Sequence, residues 1–392
     1  MSNASIMFLS FFIIIGFFAI GDILGVATKA KLSSVFVALF LFLVGFMFQK
    51  LPSDIVAKSG LGQIGSWAAP LLIFHMGTMI NIKELIAEWR TVVMTIISVF
   101  VAITSIFIIV PFIGKYAAIV SVPILNGGII ATQIMTGAAL EKGLQTVAAL
   151  GTMVFAIQKF VGTIPASYFG MKAGKKILED YRKGRLEIEK NNEIEKNKQK
   201  ISFAKKQEKY YTNFVCIAIT VFFSFLSRII QDKTGLNISI SALVFGALLS
   251  YLGLVPNAIL DKAKMSGFLS FAVFTSLVPS LAKISFQDLL TLSLQLILIF
   301  GSLLIGIFII AYILPTWKLI GSRDLAVGIS VAQLLGFPAT YLIANEIATA
   351  LTDDDDEKNI ILKKIVPAYV VAGLASVTTM SIIMAGFFVK YI

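Results

Sequence analysis

GFPATYLIANE, residues 336–346, sets Gly336 and Pro338 at one end of an apolar stretch and Asn345 and Glu346 at the other. A soluble loop carries that combination at little cost. Inside a bilayer it is tolerable only where protein or water surrounds the backbone, because lipid cannot satisfy freed amides and carbonyls. The rest of the chain decides for the bilayer. Of 392 residues, 57% are hydrophobic, and the mean hydropathy is +0.90. A spanning helix needs about 20 mainly apolar residues. Such runs cover 5–28, 34–50, 63–82, 91–113, 144–171, 210–230, 238–255, 264–282, 288–314 and 361–389. The chain therefore reads as an all-α polytopic membrane protein with the lipid bilayer as its solvent. Its start, MSNASIMFLSFFIII, lacks the positive n-region of a cleaved signal peptide, so the first run is expected to stay as a span.

The opening stretch has a counterpart. A shift of 204 residues aligns Pro52 with Pro256, Ile55 with Ile259, Lys58 with Lys262, Ser66 with Ser270, Ala68 with Ala272 and Pro111 with Pro315. A shift of 208 sets GIIAT at 128–132 on GFPAT at 336–340. Each half thus holds five clear spans and one interrupted segment, 115–142 and 322–350. If those segments cross the membrane, the halves are parallel repeats; if they dip in and return, the repeats are inverted. Charge favours the second. With the N-terminus outside and both segments re-entrant, 24 of the 33 Lys and Arg fall on the linker side and 7 on the other. Basic residues concentrate on the cytoplasmic side. The expected architecture is two inverted five-span repeats, 1–171 and 210–392, each with a re-entrant hairpin. A charged cytoplasmic linker, 172–209, joins them, and both termini lie outside.

Composition excludes several classes. The net charge of +11 is concentrated in the linker, where 13 Lys/Arg face 7 Asp/Glu, a pattern of orientation and lipid headgroup contact rather than of nucleic-acid binding. Cys216 and His75 are each the only residue of their type. Disulfides, thiolate metal clusters and paired-histidine metal motifs are thereby removed, and a Ser-His-Asp enzyme is disfavoured. His75 reads as a packed, hydrogen-bonded histidine. Lys159, in mid-span, calls for a partner or a water cavity.

The candidate site residues gather at the two interruptions. In the first, Asn126, Gly127 and Gly128 form a turn signal, followed by Thr132 and Thr136. In the second, Gly336, Phe337 and Pro338 break the ladder, and Thr340 and Asn345 follow on the resumed helix. Backbone groups freed at such breaks can bind a carboxylate or a sodium ion. The bland alternative is a kink whose glycines serve close helix packing. Thr163 and Ser167 in the fifth span, and Ser376, Thr378 and Thr379 in the last, offer hydroxyls for an ion or polar lining. Glu346 is either part of that lining or solvated beside Asp353–Asp356.

This pattern resembles the bacterial sodium:glutamate symporter family. The likeness is carried by Asn126-Gly127-Gly128 with Thr136-Gly137-Ala138-Ala139, by Val161–Ala166 leading into a basic tail, by GFPATYLIANEIA, and by Val366-Pro367 at the start of the last span. The resemblance implies a secondary transporter of the bacterial inner membrane that moves a small organic anion, a glutamate-like amino acid or carboxylate, with sodium. It further implies an elevator-type motion, a homodimer, no cofactor beyond the coupling ion, and no enzymatic activity. A channel, or a transport-inactive receptor or regulatory protein on the same fold, is the alternative.

Overall fold

The structure, a computed structural model, describes residues 2–27, 34–185, 202–336 and 339–392, and the regular structure among them is helical. In the first half these are α1 (Asn3–Ala27), α2 (Ser34–Met47), α3 (Leu61–Thr78), α4 (Trp89–Ile108), α5 (Lys115–Leu125), α6 (Ile129–Glu141) and α7 (Gln145–Arg182). The second half repeats the order with α8 (Asn213–Thr234), α9 (Ile238–Tyr251), α10 (Ser266–Thr275), α11 (Phe286–Phe308), α12 (Arg323–Ala332) and α13 (Ala339–Leu351). It closes with α14 (Asp355–Leu374) and α15 (Ser381–Phe388), joined by a π-helical segment, Ala375–Met380. Even the short turns recur: Ile55–Lys58 before α3 matches Ile259–Lys262 before α10.

Among the described residues, six helical stretches are long and apolar enough to cross a membrane: Asn3–Gly25, Trp89–Ile108, Gln145–Arg182, Asn213–Thr234, Phe286–Ile313 and Asp355–Tyr391. Large apolar side chains cover outward faces, with Phe112 75%, Ile164 75% and Phe214 84% exposed. A surface of that kind suits lipid and not water. The runs at 34–50 and 238–255 end earlier than expected. Each forms a helix of 14 residues, about 21 Å at 1.5 Å per residue, short of the ~30 Å hydrocarbon core. The cause is local: Gln49 and Gly253 adopt positive φ, and Pro52 and Pro256 follow. The fifth run instead overshoots, since α7 continues to Arg182. There Nε and Nη2 of Arg182 donate to the Glu357 carboxylate at 2.7 and 2.9 Å, tying the end of α7 to the start of α14. Part of the linker, 186–201, lies outside the described residues.

Contacts between the halves have a definite sense. At one end of α3, Gly65 abuts Ala272 and Ser276. At the other end, His75 Nδ1 accepts from the Leu260 amide and Thr78 Oγ1 from the Ile259 amide. Helices α3 and α10 therefore run antiparallel. The same holds for α4 and α11: Gln295 donates to the Ile113 carbonyl at 3.0 Å, whereas Gly306, further along α11, packs on Ser105 and Val101. Packing also sorts the helices into two sets. Helix α3 lies against α9 and α10, and α8 against α9; α7 gathers α5, α6, α12 and α13 around itself, with α14 on α13.

Candidate functional site

Both interrupted segments fold back on themselves. On a straight helix Val120 and Thr136 would lie about 24 Å apart. Here both reach Gly151 of α7: a Cβ there would stand 2.8 Å from Val120 Cγ1, 2.9 Å from Ile124 Cδ1 and 2.9 Å from Thr136 Cγ2. Only glycine permits that approach. In the second half, Gly328 of α12 and Ile347 of α13 border one spot, where the Tyr369 hydroxyl donates to the Ala166 carbonyl at 2.8 Å. Tyr369, fully buried, wedges between the two arms.

The turns then meet. A Cβ on Gly128 would lie 3.1 Å from Val377 Cγ1, and one on Gly336 3.0 Å from Val377 Cγ2. One valine of the Ala375–Met380 segment thus touches both breaks. Gly336 holds φ at +69°, a conformation that side-chain-bearing residues rarely adopt. Helix α7 supports both turns, for Gln158 Nε2 donates to the Gly127 carbonyl at 2.9 Å, and Gly162, one turn on, receives Leu334 and Leu335. On the far side Ser381 packs on Gly127, and Gly373 on Thr340.

Around this junction the polar chemistry is incomplete. Asn126 donates through Nδ2 to the Val122 carbonyl at 2.9 Å, and its buried Oδ1 has no partner. Gln158 has the same form, nitrogen bonded and Oε1 free. In each case the bonded carbonyl fixes which end of the amide is nitrogen, so the free end is an oxygen acceptor. Gln333, fully buried, has neither amide atom paired, and Thr340 Oγ1 and Thr379 Oγ1 are buried and unpaired as well. Buried polar groups are normally satisfied, and each exception asks for a reason. No side chain caps the N-terminus of α6 at Gly128, so its amide dipoles are directed at the same junction. Thr379 also lines a small recess with Asn81, Glu84 and Val371.

Of the residues expected to form a site, Asn126, Gly127, Gly128, Gly336 and Thr340 come together here. Thr132 and Thr136 are buried on α6, bonded to the Gly128 and Thr132 carbonyls. Ser376 bonds to the Ala372 carbonyl, Thr163 is exposed and bonds to that of Lys159, and Ser167 is partly buried. Asn345 turns back to the Tyr341 carbonyl, and Glu346 is exposed. Phe337 and Pro338, and the Thr378 side chain, lie outside the described residues. Gln158, Gln333 and Val377 were not anticipated. A polar residue three positions before Gly336 was the available signal for Gln333. Set beside known protein families and curated proteins, the sequence matches none of them.

Proposed function

We propose that this chain is a secondary active transporter, coupled to sodium, for a small organic anion such as a glutamate-like amino acid or carboxylate. The observation that carries the reading is the meeting of two broken segments on Val377, ringed by buried oxygen acceptors without partners. Broken helices that face each other near the middle of a membrane protein form ion and substrate sites in carriers. Neutral amide and hydroxyl oxygens suit a hard monovalent cation, and the uncapped start of α6 suits a carboxylate. The antiparallel pairing of α3 with α10 and of α4 with α11, equivalent helices in the two halves, supports an inverted repeat with re-entrant hairpins. The seam between the two helix sets, crossed by polar bonds from Gln133 to the Gly65 carbonyl and from Thr152 to Ser280, supports one set sliding on the other. Transport by such a chain takes place in the bacterial inner membrane, from a homodimer.

The test is a thermal-shift screen of the purified protein against amino and carboxylic acids, in sodium and in potassium. Stabilisation by an acid that requires sodium is the expected result. The absence of any stabilising acid in either salt would overturn the reading.

A further inference from the structure

Lys159 is the only charged residue between Gln145 and Met171 of α7. It sits 14 residues from the helix start and 12 from Met171, where the apolar run ends, about 18 Å or more from either limit, further than its stem can snorkel. Among the described residues its ammonium has no ion-pair or hydrogen-bond partner. A cation so placed costs free energy in a membrane and marks a functional position.

Its surroundings follow from helix periodicity. Residues 152, 155, 159, 162 and 166 share one stripe. Thr152 bonds to the Ser280 hydroxyl at 2.7 Å, and Phe155 packs on Phe274 of α10. Gly162 receives the turn at Leu334–Leu335, and Ala166 accepts from Tyr369. These four are buried, whereas Lys159 is partly exposed. Its position therefore lies between α10 and the second turn, next to Gln158, which holds the first turn. The neighbouring elements bring no carboxylate near: α10, residues 333–336 and 375–381 contain no charged residue, while Lys115 and Glu141 stand at the far ends of α5 and α6.

We propose that Lys159 is the fixed positive charge of the site and binds the carboxylate of the cargo, leaving the amide oxygens at the turns to the sodium ion. This rests on the transport reading above and adds a counter-ion to it. An unpaired cation attracts an anion strongly where water is scarce and repels a second cation. Acids are then favoured over their amides by charge at this residue.

The experiment measures binding by the full chain in detergent, with succinate against succinamide, which carries no carboxylate, and L-glutamate against L-glutamine, which lacks the side-chain charge. The parent should bind an acid in preference to its amide. Lys159→Met removes an unpaired charge and keeps the volume, so it should fold and melt no lower than the parent. It should bind the acid at least tenfold more weakly and lose the acid-over-amide preference, which Lys159→Arg should keep. If Lys159→Met binds the acid as the parent does, the assignment of Lys159 falls and the transport reading stands. If neither acid binds the parent, both fall. If Lys159→Met does not fold, Lys159 has a structural role and the assignment is wrong.

Discussion

Gln333 carries a fully buried amide that bonds to nothing in the protein. A buried amide without partners costs about 1–3 kcal/mol. Gln333→Leu is therefore expected to melt at or above the parent in differential scanning fluorimetry, yet to lose any ligand-induced shift. Thr340→Val should behave alike, because its hydroxyl makes no bond that would be lost. Gln158→Leu differs, since it strips the Gly127 carbonyl of its donor and should cost about 1–3 kcal/mol by the same measurement. Site residues with a backbone role were legible in the sequence, because Asn-Gly-Gly and Gly336 announce themselves by type. Gln158 and Gln333 were not, for whether a glutamine finds a partner is decided by how distant elements pack, as when α7 brings Gln158 to Gly127 and nothing to Gln333. Thr132 and Thr136 show the converse: their spacing suggested a site, and their hydroxyls close onto their own helix.

At the scale of the element, the two broken segments fold back against α7 because it has glycine where their arms arrive. A larger side chain at Gly151 must displace Val120, Ile124 and Thr136 together. Gly151→Leu should accordingly cost about 1–3 kcal/mol or more through overpacking, read as a lower melting temperature, while Gly137→Ala, with open space around its Cβ position inside α6, should hold or raise it. The helix breaks at 126–128 and 336 were readable from glycine and proline alone. The early ends of α2 and α9 were not, because an apolar run continues through Phe48 and Leu252 while the backbone has already turned. Hydropathy records what a residue prefers around it and says nothing of whether the chain is still helical there.

For the whole molecule, the all-helical, apolar character was visible in composition and the repeated order of elements in matched prolines. What the sequence could not reveal is the seam between helix sets, which depends on which faces meet. At that seam a Cβ on Gly386 of α15 would lie 3.2 Å from Asn237 Cβ, at the start of α9, close to the separation that a disulfide spans. The double variant Asn237→Cys with Gly386→Cys should cross-link under oxidation. If one set slides on the other, the cross-link should arrest sodium-driven uptake into proteoliposomes, and reduction should restore it; undiminished uptake by the oxidised protein would count against sliding. Val377 bears on the same cycle in another way. Both turns rest on the two methyls of one side chain, so the room that one gains by swinging outward is room that its opposite loses. On the transport reading proposed above, such a shared post would act as an interlock: two doors hung on it could not stand open together, and a leak along an ion gradient would be barred by shape alone. Val377→Ala should loosen that interlock, and its signature would be sodium flux that no longer needs cargo.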